Sequence, residues 1–236
     1  MALILNIETT SDVCSVALSR DGKLINIQEE NEGRSHAAKL AVFIDKVLKD
    51  EKIEVSHLDA VSISKGPGSY TGLRIGVSTA KGLCYGSDLP LISVHTLQTL
   101  TQGLINNIRS YFPEGLEKGD ILVPMIDARR MEVYTARFDN RNNFLRDVEP
   151  VILEDHTFQE LLDERRVIFI GNGIKKAREI INHHHAKFIE AINFSAAHMV
   201  SLSEEKFVKG KFEDVAYFEP FYLKDFQATK PKNKLF

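Results

Sequence analysis

Apolar positions along this chain fall into short runs and longer stripes, and their order occurs twice. The first run, Leu3-Ile4-Leu5-Asn6-Ile7, is almost continuous, as in a strand buried on both faces. A polar turn, Glu8-Thr9-Thr10-Ser11-Asp12, leads to a second strand, Val13 to Leu18. Asp21-Gly22 is a hairpin signal, and Leu24 to Ile27 reads as a third strand. Ser35 can cap a helix that runs to about Lys49. Its apolar set is Ala37, Leu40, Ala41, Ile44, Val47 and Leu48, at helical spacing. Ala38, Val42 and Phe43 widen the stripe; a partner surface and deep burial in one chain both account for that width.

The stretch from Ala60 to Ser87 organises the rest. Val61 and Ile63 alternate as in a strand. Lys65-Gly66-Pro67-Gly68-Ser69-Tyr70-Thr71-Gly72 follows, and its Gly-Pro-Gly core continues neither a strand nor a helix. Ser69 and Thr71 are placed to cap the helix that begins near Leu73. Strand, glycine loop and helix start form a nest of backbone N–H groups that suits an anion. A tight, well-capped turn without a ligand has the same sequence signature. Better-known phosphate loops do not fit: Lys65 precedes the glycines, unlike in a Walker loop, and Thr71 stands where a dinucleotide fingerprint needs glycine. Gly72, Gly76 and Ala80 recur every fourth residue along the helix. That spacing admits a close backbone, either from the chain's own sheet or from a partner helix.

Leu91 to Val94 is a further strand, and a helix follows from about Thr96 to Tyr111, then a loop from Pro113 to Gly119. Here the pattern repeats. Ile121 to Asp127 mirrors Leu3 to Glu8, an apolar strand ending in an acid. Met131 to Phe138 and Phe144 to Ile152 mirror the second and third strands. A helix near Thr157 to Glu164 comes next, then the strand Val167 to Ile170 with Gly171-Asn172-Gly173. A helix from Ile174 to about Asn182, a short strand Phe188-Ile189 and a helix from Ser195 to Lys209 complete the echo. Two similar α/β lobes follow from this order, at residues 1–100 and 101–225. Residues 226–236 read as a flexible basic tail, with Lys230, Lys232 and Lys234.

Composition narrows the partners more than the fold. The 236 residues, 43% of them hydrophobic, suffice for one large or two small domains. A net charge of −3 gives no global basic field, so a nucleic-acid contact would be a local patch or would rest on a partner. Cys14 and Cys84 are the only cysteines; they suit small buried hydrophobes in a reducing compartment. Leu3 to Ile7 is too short for a signal peptide or a membrane span, and the expectation is a cytoplasmic protein without membrane contact.

Several blocks, in order, carry a resemblance. They are Leu-Asn-Ile-Glu-Thr-Thr at the N-terminus, Ser35-His36, the run from Lys65 to Gly76, Ala80-Lys81-Gly82-Leu83, Asp127-Ala128-Arg129-Arg130 and Phe221-Tyr222-Leu223. From about Leu3 to Leu223 the chain resembles the TsaB (YeaZ) family of the bacterial tRNA threonylcarbamoyladenosine system, most specifically in the Gly66 to Gly76 block. The resemblance implies an actin-like, sugar-kinase-like (ASKHA, RNase H-like) α/β fold with two lobes, each a mixed sheet with flanking helices. It implies a non-catalytic scaffold subunit that binds and activates a TsaD-like transferase as a heterodimer. A TsaE-like ATPase would join the system, and tRNA would be met indirectly through the complex. The implied partner interface is His36, Leu40, Phe43, Gly72, Gly76 and Ala80; whether the chain forms a homodimer when alone stays open.

Three kinds of chemistry make demands that the sequence can be held against. In TsaD-like relatives a His-x-x-x-His pair follows the strand matching Leu91 to Val94; one helical turn puts both imidazoles on one face for one ion. Thr96 and Leu100 stand at those positions, beside an isolated His95, so no metal is expected. His-Glu-x-x-His is absent from the sequence, which disfavours a metallopeptidase. Kinases and ATPases of the fold pair a first-strand acid with a following glycine; Glu8 is followed by Thr9-Thr10 and Asp127 by Ala128-Arg129. No cofactor is therefore expected, with room left for weak nucleotide binding through Gly66, Gly68, Ser69, Thr71 and Arg129. A small ATPase or kinase of the fold is the alternative function. No nucleophilic triad can be argued. His183-His184-His185 reads as an exposed helix end, because adjacent helical residues diverge by about 100°.

Overall fold

The computed structural model describes residues 2–31 and 36–224. The Ser35 cap and the basic tail lie outside the described residues. The first half runs β1 (Leu3–Glu8), β2 (Cys14–Arg20), β3 (Lys23–Glu30), α1 (His36–Asp50), β4 (Ala60–Ser64), α2 (Tyr70–Ser87) and β5 (Leu91–Val94). After α3 (Thr96–Asn106) and the single turn α4 (Ile108–Tyr111), the second half begins. It runs β6 (Ile121–Asp127), β7 (Glu132–Phe138), β8 (Phe144–Ile152), α5 (Gln159–Glu164), β9 (Val167–Ile170), α6 (Ile174–Ile180) and β10 (Ala186–Ile189). A short 3-10 turn (Ala196–Met199) then leads into α7 (Val200–Val208).

The two sheets have one topology. Their strand orders are β3-β2-β1-β4-β5 and β10-β9-β6-β7-β8. In each, the first three strands pair antiparallel, the fourth pairs parallel with the first, and the fifth pairs parallel with the fourth. The duplication is thus a duplication of pairing, not only of element order. β1 is buried along its whole length, and its alternating side chains serve two layers. Leu3, Leu5 and Ile7 pack with Leu40, Ile44 and Val47 of α1 and Val77 of α2. Ile4 faces the other way, with Ile92 and Phe207 of α7.

The halves exchange helices. α3 leaves the first sheet but packs Leu97, Leu100 and Leu104 against Leu122, Ile126 and Ile168 of the second. α7 follows the second sheet yet lies on the first, where Met199 and Leu202 meet Val94. The expected division at residue 100 therefore cuts α3, and a C-terminal lobe of 101–225 takes in α7, which packs on the first sheet. Beneath α7 runs a buried polar network. The Ser203 hydroxyl lies 2.6 Å from Asn6 Oδ1 and 2.8 Å from the Ser62 hydroxyl. Asn6 Nδ2 donates to Ser19 Oγ at 3.1 Å, and all four side chains are buried.

Other departures from expectation have local causes. β3 extends to Glu30 because Gln28, Glu29 and Glu30 continue the ladder to β2 as an edge strand, where polar side chains hide the strand pattern. The expected helix from Thr96 to Tyr111 breaks at Asn107, whose Nδ2 donates to the Gly103 carbonyl at 2.9 Å. That side chain competes with the backbone for the helix end. The three histidines lie beyond the end of α6, in the turn before β10; His185 Nδ1 sits 2.7 Å from the Leu162 carbonyl. Ser203→Ala should strand Asn6 Oδ1 in the core and cost about 1–3 kcal/mol, read as a lower urea midpoint with an unchanged slope.

Candidate functional site at the glycine loop and lobe junction

The glycine loop is built from the end of β4. Lys65 N donates to the Val94 carbonyl at 2.8 Å and prolongs the β4–β5 ladder. Gly66 then takes φ +112°, and a Cβ there would meet the Phe221 carbonyl oxygen at 2.8 Å. Ser69 is the helix cap: its side chain accepts from Gly72 N at 3.3 Å. α2 consequently starts at Tyr70, three residues before the position near Leu73 read from the sequence.

The turn between β1 and β2 fills the nest. A Cβ on Gly68 would overlap the Thr10 carbonyl oxygen, one on Gly72 the Thr9 carbonyl oxygen, and one on Gly76 the Thr9 hydroxyl. Ser69 N donates to the Thr10 carbonyl at 2.7 Å, and Thr9 Oγ1 to the Gly72 carbonyl at 2.9 Å. The glycines therefore have an intramolecular reason: they let the first hairpin sit on the helix start. Of the expected anion contacts, Gly66 is buried against Phe221, Gly68 and Ser69 are engaged by Thr10, and Thr71 is exposed. Arg129 lies elsewhere, on the turn between β6 and β7.

The expected partner residues also point inward. Gly72, Gly76 and Ala80 are buried, as are Leu40 and His36, whose Nε2 lies 3.2 Å from the Val13 carbonyl. Phe43 is half-buried. On the opposite side of α2, Ser78, Gly82, Tyr85 and Gly86 are exposed, and α1 exposes Ala38 and Val42. A Cβ on Gly82 or Gly86 would meet nothing within 4 Å. The wide stripe of α1 pointed to Ala38 and Val42, but not to Ser78, Gly82 and Gly86, because α2 holds two small-residue registers and Gly72, Gly76 and Ala80 form the longer one.

At the junction of the lobes the polar groups are enclosed. Glu8 is fully buried and accepts at Oε1 from Thr10 N at 2.6 Å and from the Thr10 hydroxyl; Oε2 has no hydrogen-bond partner among the described residues. Burial pushes the Glu8 carboxyl above its ordinary value, against the opposing pull of the Ser64 and Thr10 hydroxyls. Ser64 Oγ lies 2.8 Å from Thr96 Oγ1. Thr96 and Leu100, the two positions compared with a His-x-x-x-His pair in the sequence, are both buried, Leu100 in the apolar core under the second sheet. His95 stands edge-on to Phe144 and Phe221, with ring centroids 5.5 and 5.3 Å away. Burial, with Lys65 and Lys206 nearby, holds its imidazole down to about 3, so it stays neutral at ordinary pH.

The second hairpin differs from the first. Asp127 Oδ1 accepts from Lys176 Nζ at 2.6 Å and from Arg129 N at 2.7 Å, while Asp127 N donates to Asn172 Oδ1 at 2.9 Å. Gly171 and Gly173 close on Met125 as the first loop closes on Thr9 and Thr10. Arg129 and Arg130 both adopt left-handed backbone, at φ +69° and +47°.

Gly72→Ala should push the first hairpin off α2 and cost about 3 kcal/mol, measured by urea unfolding. Glu8→Gln tests the buried acid. Its raised value makes the charge costless below the ordinary value of 4.5 and increasingly costly as pH rises through the folded value. The variant should therefore be more stable than the parent at pH 8, with the gain vanishing near pH 4.

A family model described as TsaD, tRNA N6-adenosine threonylcarbamoyltransferase, matches residues 27–232. The chain is 29% identical over 239 residues to the tRNA threonylcarbamoyladenosine biosynthesis protein TsaB of Escherichia coli strain K12, covering 96% of both. It is 31% identical to the protein of the same name from Bacillus subtilis strain 168, over 75% of this chain and 74% of that one. YeaZ from Pseudomonas aeruginosa superposes with a TM-score of 0.79 at 23% identity, covering 94% of this chain and all of that one, 100%; this likeness carries the two-lobed fold. Matched over about three quarters of both sequences at that level, the chain belongs to the TsaB family of tRNA threonylcarbamoyladenosine biosynthesis proteins.

Proposed function

We propose that this chain is the non-catalytic subunit of the tRNA threonylcarbamoyladenosine system, binding and activating a TsaD-like transferase through the outer face of α1 and α2. Family membership supports involvement in the biosynthesis itself. The observation that carries the finer reading is Gly82. It lies inside an 18-residue helix, exposed, with open space where a side chain would go. Glycine there costs about 1 kcal/mol relative to alanine, and nothing in the isolated chain returns it. A helix from a partner, packed closely over Ser78, Gly82 and Gly86, would. Exposed Val42, at 59%, and Tyr85, at 88%, flank such a seam with apolar area.

Residue chemistry supports the non-catalytic part. The two positions compared with a His-x-x-x-His pair hold a buried threonine and a buried leucine, and neither offers an imidazole. The glycine loop is closed by the chain's own hairpin, which speaks for a frame rather than a phosphate site and against the small ATPase reading. A TsaE-like ATPase acting beside the pair belongs to the same proposal, as does a cytoplasmic setting. No helix among the described residues is long and apolar enough to cross a membrane, and Cys14 and Cys84 are free and buried.

Gel filtration of the chain mixed with its TsaD-like transferase should yield a stable complex. Val42→Glu or Gly82→Leu should weaken it about a hundredfold, near 2.7 kcal/mol, with circular dichroism unchanged. Absence of a complex with the parent chain would refute the reading.

A further inference from the structure

The C-terminal segment ends in a cationic and aromatic strip at the N-terminal end of the outer face of α2, one turn before Ser78. After α7 the chain returns across the first lobe. Glu213 N donates to the Leu91 carbonyl at 2.8 Å, Lys81 Nζ reaches the Ala216 and Phe218 carbonyls, and Phe221 N donates to the Lys65 carbonyl at 2.8 Å. That path sets the Tyr222 ring on Tyr70, with centroids 5.1 Å apart, and Arg74 caps the pair 4.3 Å from the Tyr70 centroid. Two residues on, Lys224 Nζ donates to the Glu132 carboxylate of the second lobe at 2.6 Å. Glu132 N in turn donates to the Arg129 carbonyl at 3.2 Å, closing the turn that presents Arg129 and Arg130. A chain of contacts therefore links Arg74, Tyr70 and Tyr222, through Lys224 and Glu132, to the turn that carries Arg129 and Arg130.

Its charge is unbalanced. Lys224 is matched by Glu132 and Lys176 by Asp127. Among the described residues no carboxylate pairs with Arg74, Arg129 or Arg130, and all three are exposed. Arg129 and Arg130, with Arg74 held by the Tyr70 ring and the Tyr222 hydroxyl, make three guanidiniums unmatched by a carboxylate on a chain of net charge −3, a local positive field and not a share of a basic surface. The turn also breaks a local rule. Two successive left-handed residues call for Asn-Gly, and arginine carries a steric cost there. A short turn that carries two exposed arginines against that cost fits a role for their guanidiniums in what they meet. Guanidiniums bind phosphates in bidentate fashion, and an aromatic ring at 37% exposure offers a face on which an unpaired base stacks.

We infer that this strip binds a single-stranded loop of tRNA, with Arg129, Arg130 and Arg74 on phosphates and Tyr222 under a base. The inference rests on the proposed function for the identity of the RNA, and it makes this subunit a direct contributor to substrate binding. Other occupants, chiefly the transferase itself, become outcomes of the test.

The test measures anisotropy of a fluorescein-labelled tRNA transcript against the reconstituted complex of the chain and its transferase. Arg129→Asn with Arg130→Asn preserves the turn, since asparagine tolerates left-handed backbone. This double variant should bind about tenfold more weakly at about 0.1 M salt and lower the log–log salt slope by about 1.4, two phosphate contacts on a single strand. Tyr222→Leu should weaken binding about fivefold or more with the slope unchanged, because stacking releases no counterions. Gel filtration of each variant complex separates the sources of any loss. Parent-like affinity and slope in the variants would overturn the inference, as would variants that shed the transferase while the chain keeps its own affinity for the transcript. If the parent chain forms no complex, the proposed function fails separately. The same titration on the chain alone then decides the strip: variant loss supports it, and no difference rejects it.

Discussion

The close seating of the Thr9-Thr10 turn on Gly68, Gly72 and Gly76 is the contact on which the rest of the first lobe depends. It fixes where α2 begins, because Ser69 receives its backbone partner from Thr10 while its side chain caps the helix. It closes the floor over Glu8, which is fully buried. It also consumes the space that glycines at a strand-to-helix turn often leave for a phosphate. The residues that look most like a ligand site are spent on joining a hairpin to a helix.

A duplicated sheet with exchanged helices turns that local contact into a rigid frame. α3 belongs to the first half by sequence and to the second by packing, and α7 the reverse, so neither half closes its core alone. The Asn6, Ser62 and Ser203 hydrogen bonds then fix how α7 sits, since a buried polar network tolerates few alternatives. The halves have diverged where they meet. The first acid, Glu8, is sealed and desolvated, whereas the second, Asp127, is exposed and ion-paired to Lys176. Such a frame presents outer faces reliably: the seam of α1 and α2, and the strip that includes Tyr222 and Arg129 near the lobe junction.

Much of the architecture was legible in the sequence, for physical reasons that can be named. Strands buried on both faces, such as β1 and β6, show as apolar runs, and the repeat of run, turn and stripe showed two equivalent sheets. The edge strand β3 was short in that reading because its polar end carries no hydrophobic signal. The helix exchange was not legible at all: periodicity gives α3 and α7 apolar faces without saying which sheet they cover. At the site, the capping role of Ser69 and the turn character of the glycine loop were legible. The loop's occupant was not, since a backbone carbonyl and an anion make the same demand on glycine. The register of Gly72, Gly76 and Ala80 was visible but faces the core, and Gly82 with Gly86 holds the outward register. The strip of Arg74, Tyr70 and Tyr222 joins residues far apart in the sequence, which only the folded C-terminal segment brings together.

The central claim is that the chain's own hairpin, and not a ligand, satisfies the glycine loop. Isothermal titration of the purified chain with ATP and Mg²⁺ tests this most directly. The account predicts no saturable heat at micromolar nucleotide, in the parent chain and in Glu8→Gln alike. Micromolar binding that is lost in Glu8→Gln would contradict it.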